Sequence, residues 1–218
     1  MAKRFDLLIF DWDGTLMDSA GAIVASIQAA CADIGWPVPS REAASHIIGL
    51  GLKEAILALF PAMPEAEHLR LAERYRYHFL AQDHAIPLFG GAEQLIAELH
   101  GRGFLLAVAT GKARRGLIRA FEHSGLERYF HASRTADETF SKPNPAMLIE
   151  LLDELMVEKD KALMIGDTSH DLLMAQNAGM PSLAAGYGAH PAESLHAYQP
   201  LAVCQRFEDL AEWLKANA

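Results

Sequence analysis

Leu7-Leu8-Ile9-Phe10-Asp11-Trp12-Asp13-Gly14-Thr15 is the stretch that decides the fold of this chain. Its first four residues form a continuous apolar run, which is typical of a strand buried on both faces of a parallel sheet. Two carboxylates and a glycine follow at once. The stretch therefore predicts a buried strand that ends in a polar cluster, and open α/β sheets build their sites at such carboxyl ends.

Further apolar runs repeat this pattern along the chain. The clear ones are Leu105–Ala109 and Ala162–Ile165, and the weaker ones are Ser182–Ala184 and Leu201–Cys204. Amphipathic stretches predict helices at 92–101, 113–124, 145–156 and 170–178. Asn144 before Pro145 favours a helix start, and Gly125 and Gly179 favour helix ends. Strands that alternate with helices indicate βαβ units, so the sequence predicts an α/β fold with a doubly wound parallel sheet.

One region interrupts this alternation. Residues 19–85 contain no convincing strand, but three or four helical segments punctuated by prolines. The sequence therefore predicts an all-helical insertion after the first strand, with residues 87–91 as the return hinge. A bend between two of its helices is expected at Gly49.

Composition limits the classes of function. The 218 residues are 51% hydrophobic with a net charge of −9, which allows a sizeable core and argues against nucleic-acid or anionic-membrane partners. No stretch approaches the ~20 apolar residues that span a bilayer, and the basic start lacks a signal-peptide core. Cys31 and Cys204 fit two buried thiols in a reducing compartment better than a disulfide. These features predict a cytoplasmic protein.

Three more polar clusters stand where they could join the first one. Thr110-Gly111-Lys112 follows the second clear run, and Gly166-Asp167-Thr168 with Asp171 follows the third. Ser141-Lys142-Pro143 lies in a loop just before a helix. Because the carboxyl ends of parallel strands share one edge of a sheet, we expect these clusters to converge.

Converging carboxylates need a cation. Two of them about 4 Å apart repel by ~4 kcal/mol at an effective dielectric constant near 20. Oxygen ligands of this kind suit Mg²⁺, which prefers one or two carboxylates, water and a phosphate oxygen. Lys142 adds a positive charge that could hold Asp11 ionised.

Phosphoryl-transfer chemistry then suggests a role for each residue. Asp11 can attack phosphorus to form an aspartyl-phosphate, and Asp13 can protonate the leaving oxygen and later activate water. Gly14 allows a sharp turn and is a candidate for phosphate binding, and Thr110 with the Gly111 amide can bind phosphate oxygens. The remaining predicted site residues are Lys112 for substrate contact, Lys142 for catalysis, and Asp167 and Asp171 for metal binding.

The four clusters together resemble the motifs of the haloacid dehalogenase superfamily. Asp11-Trp12-Asp13-Gly14-Thr15-Leu16 is similar to its first motif, Thr110-Gly111-Lys112 to the second, Lys142-Pro143 to the third and Gly166-Asp167-Thr168 with Asp171 to the fourth. The resemblance implies a Rossmann-like core, residues 1–16 and 88–218, and a small helical cap, residues 17–87. It also implies Mg²⁺ held by Asp11, the Asp13 carbonyl and Asp167.

The nearest likeness is to phosphoglycolate-phosphatase-like members, which implies a phosphatase acting on a small phosphorylated metabolite. Gly111 departs from the pattern, because many relatives carry asparagine there. A phosphomutase or a pyrophosphatase would use the same core, so the substrate and the oligomeric state stay open. The acidic set argues against a dehalogenase, and the early nucleophile argues against a phospho-acceptor signalling domain.

Other polar groups are given ordinary roles. His170 is expected near the site without a catalytic part, and the other histidines, His46 and His190 among them, are expected to be surface or satisfied residues. Residues 70–77 mix arginine, tyrosine and glutamate, which favours a solvated helix face. We also expect the insertion loop around His46, Gly49 and Lys53 to read the substrate.

Overall fold

The computed structural model of this protein describes residues 3–218, so Met1 and Ala2, the start of the predicted core segment 1–16, lie outside the described residues. Six strands form one parallel sheet: Leu7–Phe10 (β1), Leu105–Thr110 (β2), Ala132–Thr135 (β3), Ala162–Gly166 (β4), Ser182–Ala185 (β5) and Val203–Cys204 (β6). Their order is β3-β2-β1-β4-β5-β6. The strand that carries the first motif is therefore central, with β2 and β4 on its two sides.

Helices cover both faces of this sheet, because side chains alternate along each buried strand. In β1, Leu8 and Phe10 pack into one apolar cluster, and Leu7 and Ile9 pack into another on the opposite face. The helices of this core are Ala92–Gly101 (α5), Arg114–Ser124 (α6), Ala146–Leu155 (α7), Ser169–Ala178 (α8), Ala192–Leu195 (α9) and Phe207–Asn217 (α10). The predicted doubly wound α/β fold is confirmed.

Local chemistry explains where these helices begin and end. Gly125 and Gly179 adopt left-handed conformations just after α6 and α8, as expected. The helix predicted from Pro145 begins at Ala146 instead, and the Asn144 side chain accepts a hydrogen bond from the Ala146 amide at 3.0 Å. The side chain of Asn144 thus satisfies an amide of the first turn.

Four helices lie between β1 and α5. They are Ala20–Asp33 (α1), Arg41–His46 (α2), Leu52–Leu59 (α3) and Glu65–Leu80 (α4). The chain leaves and re-enters the core at one place, since the Asp18 amide donates to the Pro87 carbonyl and the Phe89 amide donates to the Leu16 carbonyl. The four helices therefore form an insertion whose outgoing and returning segments are hydrogen-bonded to each other, and the predicted helical insertion after the first strand is present.

Two strand predictions were incomplete. β3 was missed because Ala-Ser-Arg-Thr is not an apolar run, and its position at the edge of the sheet explains why polar residues are tolerated there. The run predicted at Leu201–Cys204 pairs only over Val203–Cys204, at the opposite edge. Within residues 3–218, no helix has the length and apolar character needed to cross a membrane.

Candidate active site

The parallel register brings the predicted clusters to one edge of the sheet. Phe10 is level with Val108 on β2 and with Ile165 on β4, so Asp11 and Asp167 follow the carboxyl ends of β1 and β4, and Thr110 is the last residue of β2. The loop before α7 supplies Lys142. Each of these four side chains is at most 2% exposed.

A buried lysine links two of the carboxylates. Lys142 Nζ lies 2.8 Å from Asp11 Oδ1 and 2.6 Å from Asp171 Oδ1. Oxygen atoms of Asp11, Asp167 and Asp171 all lie within 4.8 Å of one another. When all three carboxylates are ionised, one ammonium leaves two negative charges in this buried cluster, which is the charge that one divalent cation would balance.

Asp11 is the least satisfied member of this cluster. Lys142 Nζ lies 2.8 Å from Oδ1, and within residues 3–218 no protein group donates to Oδ2. Burial raises the pKa of Asp11 to about 7, although the charge of Lys142 opposes that rise. Burial and the charge of Asp11 likewise hold the pKa of Asp167 well above its usual range. The cluster therefore fits a bound cation, with Asp11 oxygens available to it.

Asp171 is more fully engaged by the protein. Its Oδ1 accepts from Lys142, while its Oδ2 accepts from the Thr168 amide at 3.0 Å and from the Thr168 hydroxyl at 2.7 Å. These bonds close a capping box at the start of α8. Asp171 therefore holds Lys142 in place, and its oxygens are less free for a metal than those of Asp11.

Asp167 is oriented by two neighbours from separate loops. The Thr15 hydroxyl donates to Oδ1 at 2.8 Å, and the Ala189 amide donates to Oδ2 at 2.7 Å. Gly14, with φ +79°, lies against the same carboxylate so closely that a Cβ would overlap it. The structure thus places Gly14 beside the predicted metal ligand, and Gly14 is outside the residues that line the cavity described below.

Asp13 lies on the open side of the cluster. The Ser19 hydroxyl donates to Oδ1 at 2.6 Å, and Lys112 Nζ lies 2.9 Å from the same oxygen. No protein donor within residues 3–218 contacts Oδ2. One oxygen of Asp13 is therefore held in place while the other is free to take or release a proton.

Thr110 and Gly111 continue the second cluster. The Thr110 hydroxyl accepts from the Lys112 amide at 3.2 Å, which fixes the turn after β2. A Cβ at Gly111 would lie 2.5 Å from the Gly49 carbonyl oxygen and 2.6 Å from that of Leu50. Glycine at this position is thus explained by the close approach of the insertion's backbone.

That backbone belongs to residues 46–51, which we call the docking loop. Gly49, with φ +92°, makes the predicted bend against the Thr168 side chain. The Gly51 amide donates to the Ser141 hydroxyl at 2.8 Å. The docking loop therefore touches the loops that carry the second, third and fourth clusters.

Three histidines complete this junction. The His170 and His190 Nε2 atoms lie 2.8 and 3.2 Å from the His46 carbonyl oxygen, and the His190 Nδ1 accepts from the Ser169 amide. Burial lowers the pKa of His190 to about 4 and lowers that of His170 as well, so both rings are neutral donors. His46 is exposed and His190 is buried with both ring nitrogens hydrogen-bonded, which agrees with the expectation of surface or satisfied residues; their rings, 144 residues apart in the chain, stack with centroids 5.0 Å apart.

A cavity of about 660 Å³ opens above Asp11 and Asp13, between the core and the insertion. Gly49, Lys53, Gly111 and Lys112 are among the residues that line it. Tyr75 also lines it, half-buried and stacked on Phe79, so the prediction of a solvated face over residues 70–77 was wrong for Tyr75.

Sequence reasoning missed several residues that orient the site. Thr15 lies within the first motif and Ser19 follows it, and both could have been noticed as hydroxyls near carboxylates. Ala189 acts through its backbone amide, and Ser141 acts across the junction with the insertion. The sequence gives no local indication of either contact.

The chain is similar to known phosphatases along most of its length. A family model described as haloacid dehalogenase-like hydrolase matches residues 8–185. The probable phosphatase IndB of Dickeya dadantii is 33% identical over 210 residues, which are 94% of this chain and 91% of that protein. A phosphoglycolate phosphatase of Vibrio parahaemolyticus is 31% identical and covers 97% of both chains.

The fold has close counterparts among solved structures. The crystal structure of a predicted phosphatase from Clostridium acetobutylicum superposes with a TM-score of 0.85 and is 26% identical. It covers 97% of this chain and 99% of that one. The likeness thus includes the helical insertion as well as the sheet.

Proposed function

The chain belongs to the haloacid dehalogenase-like hydrolases and is a phosphatase, and from this premise we propose a Mg²⁺-dependent hydrolysis of small phosphate monoesters through an aspartyl-phosphate. The observation that carries the proposal is the buried carboxylate of Asp11, whose Oδ1 contacts Lys142, whose Oδ2 has no hydrogen-bond donor within residues 3–218, and which lies beside two further carboxylates.

Asp11 is the proposed nucleophile. One of its oxygens forms a bond to phosphorus while the bond from phosphorus to the ester oxygen breaks. Lys142 favours the ionised form of Asp11, and Asp171 holds Lys142 where it does so. Thr110 and the Gly111 amide are proposed to bind phosphate oxygens, and Gly14 allows Asp167 to come close.

Asp13 is the proposed acid and base. Its free Oδ2 gives a proton to the leaving oxygen, and then takes one from the water that attacks the phosphorus of the aspartyl-phosphate. That second attack breaks the bond between phosphorus and Asp11 and restores the carboxylate. Ser19 and Lys112 hold Oδ1 throughout, which limits the rotation of the side chain.

Mg²⁺ would supply charge neutralisation for the phosphate oxygens. Asp11, the Asp13 carbonyl and Asp167 are the proposed protein ligands. Asp171 was expected to bind the metal too, and we propose that it does so at most through water, since both of its oxygens already accept hydrogen bonds. The two negative charges of the cluster support a divalent cation over a monovalent one.

We propose residues 1–16 and 88–218 as the catalytic core and residues 17–87 as a cap. The contacts of the docking loop with the core clusters support this division. A cytoplasmic location and a small phosphorylated metabolite as the ligand stay predictions of the sequence.

Asp11→Asn tests the nucleophile. We expect this variant to lose Mg²⁺-dependent phosphate release from an aryl phosphate, since an amide cannot replace the attacking carboxylate. Asp6→Asn is a matched control, because Asp6 is exposed at the other end of β1. Activity of Asp11→Asn close to wild type would exclude Asp11 as the nucleophile, and full wild-type turnover in EDTA would exclude the metal.

A further inference from the structure

The cavity is large for the smallest phosphate esters. If each non-hydrogen atom of a two-carbon phosphate ester is given the ~30 Å³ that a water molecule occupies in the liquid, the ester fills less than half of the 660 Å³ cavity. Most of the residues that line the cavity belong to the insertion, and Asp167 and Asp171 of the carboxylate cluster do not line it. The residues that line this part of the cavity therefore indicate which type of leaving group the protein binds.

Aromatic side chains form one wall of this space. The Tyr75 and Phe79 rings, one turn apart on α4, stack with centroids 5.8 Å apart and an angle of 19° between their planes. Ile23 and Ile27 on α1, the helix packed against α4, also line the cavity. This wall would bind a planar or apolar group and gives little to a small polar one.

The aromatic wall begins at the leaving-group side of the reacting centre. Lys112 Nζ, which contacts Asp13, lies 4.9 Å from the centre of the Phe79 ring. The charge of Asp13 also contributes to the raised pKa of Tyr75, after burial. Because Asp13 is the proposed acid for the leaving oxygen, the group attached to that oxygen points toward Tyr75 and Phe79.

Cations near this wall are poorly placed for a small carboxylate. Lys112 is paired with Asp13, and Arg119 is paired with Asp83. Lys53, Arg76 and Arg115 are exposed at the rim, and within residues 3–218 none of them has an ion-pair partner. The carboxylate of a bound phosphoglycolate lies close to phosphorus and would therefore meet no unpaired buried cation. The cations at the rim do not cover the aromatic wall, so the wall stays open to a ring.

We propose that the preferred substrate is a phosphate monoester whose leaving group carries a planar ring that packs on Tyr75 and Phe79. The proposal rests on the proposed phosphatase reaction and adds the class of substrate. Two sources share this chemistry: an aryl phosphate, with the ring on the ester oxygen, and a nucleoside monophosphate, with the ring one sugar away.

A matched pair of substrates tests the preference in the wild-type protein. Uridine 5′-monophosphate and ribose 5-phosphate share the same type of primary leaving oxygen and differ in the ring. We expect kcat/KM to be about 10- to 100-fold higher for the nucleotide, the range that base stacking on aromatic side chains provides. Phenyl phosphate serves as the second arm, since its ring is bonded directly to the ester oxygen.

Variants of the wall locate the ring. Tyr75→Leu should reduce the nucleotide-to-ribose ratio of kcat/KM by about tenfold, and Phe79→Leu should reduce it in the same direction. In the aryl arm, kcat/KM for phenyl phosphate should fall relative to that for phosphoglycolate. Tyr77→Leu is the control, because Tyr77 is 61% exposed on the same helix and is not part of the cavity lining. Thermal melting of each variant identifies any loss of folding.

The outcomes separate the two proposals. If only one arm depends on Tyr75, that arm identifies the position of the ring. A wild type that hydrolyses ribose 5-phosphate and phosphoglycolate as well as the ring esters overturns the ring proposal and leaves the phosphatase reaction intact. A high ratio that survives in both wall variants overturns the assignment to this wall. Absence of phosphate release from every ester defeats the proposed function itself.

Discussion

Gly111→Ala is expected to push the docking loop away from the core. The added Cβ would lie 2.5 to 2.8 Å from three backbone atoms of Gly49 and Leu50, whereas ordinary contacts begin at 3.4 Å. The loop must therefore retreat by about 1 Å, because backbone atoms cannot rotate aside as a flexible side chain can. Gly111→Asn, the second variant, brings the same Cβ.

Displacement of the docking loop should lower both the catalytic rate and the stability of the protein. The docking loop lines the cavity above Asp11, and displacements of about 1 Å near a reacting centre can cost up to ~100-fold in rate. We expect kcat/KM to fall by about 10- to 100-fold in both variants. Overpacking of this kind also destabilises proteins by about 1–3 kcal/mol, which thermal melting can detect.

Hydrogen–deuterium exchange of the peptide covering residues 46–51 reports the retreat directly. The Gly51 amide should exchange faster, because its bond to the Ser141 hydroxyl is lengthened. Gly21→Ala is the control, since Gly21 has no atom within 4 Å of the added Cβ and precedes the docking loop on α1. Wild-type activity together with wild-type exchange in Gly111→Ala would refute the reasoning.

Two further predictions concern the buried charges. Lys142→Met should lower the free energy of unfolding of the metal-free protein by about 3–5 kcal/mol, measured by urea titration, because Asp11 and Asp171 lose the ammonium between them. The same variant should release no phosphate. Lys161→Met, at an exposed position, is the control and should change neither quantity. Without metal, the stability that Asp11 contributes should fall as pH rises from about 4 to 7, because its raised pKa means that the folded state holds a proton that the unfolded chain has already released. Neutral His190 acts in the opposite direction over about pH 4 to 6.5, so the fall is measured as the difference in thermal stability between wild type and Asp11→Asn. Mg²⁺ at one fixed concentration, ~100 times its Kd at pH 8, should raise Tm by about 5–10 °C at pH 8 and by much less at pH 5, and equal shifts at both pH values would contradict the charge argument.

The parts of the site that follow strands could be predicted from the sequence. Asp11, Thr110 and Asp167 each follow an apolar run, and parallel pairing brings such positions together whatever the loops do. β3 could not be predicted in this way, because an edge strand needs little apolar surface and Ala-Ser-Arg-Thr supplies little.

Contacts between the insertion and the core could not be predicted from the sequence. The reason for glycine at position 111 lies in the backbone of Gly49 and Leu50, some 60 residues earlier in the chain. The same holds for His190 and His46, whose contact depends on how the insertion packs against the core. Periodicity and motif spacing describe one element at a time, so they carry no information about such a junction.

The bonds that His170 and His190 direct at residue 46 end on a backbone carbonyl, which every type of amino acid supplies. Both donors of these bonds are side chains of the core, and the insertion needs to supply only a backbone carbonyl at the right position. An insertion grafted from a relative, with the same loop path and an unrelated residue at position 46, would meet the same two donors. Exchange of whole insertions between such cores is thus an engineering route to new selectivity that leaves this attachment intact.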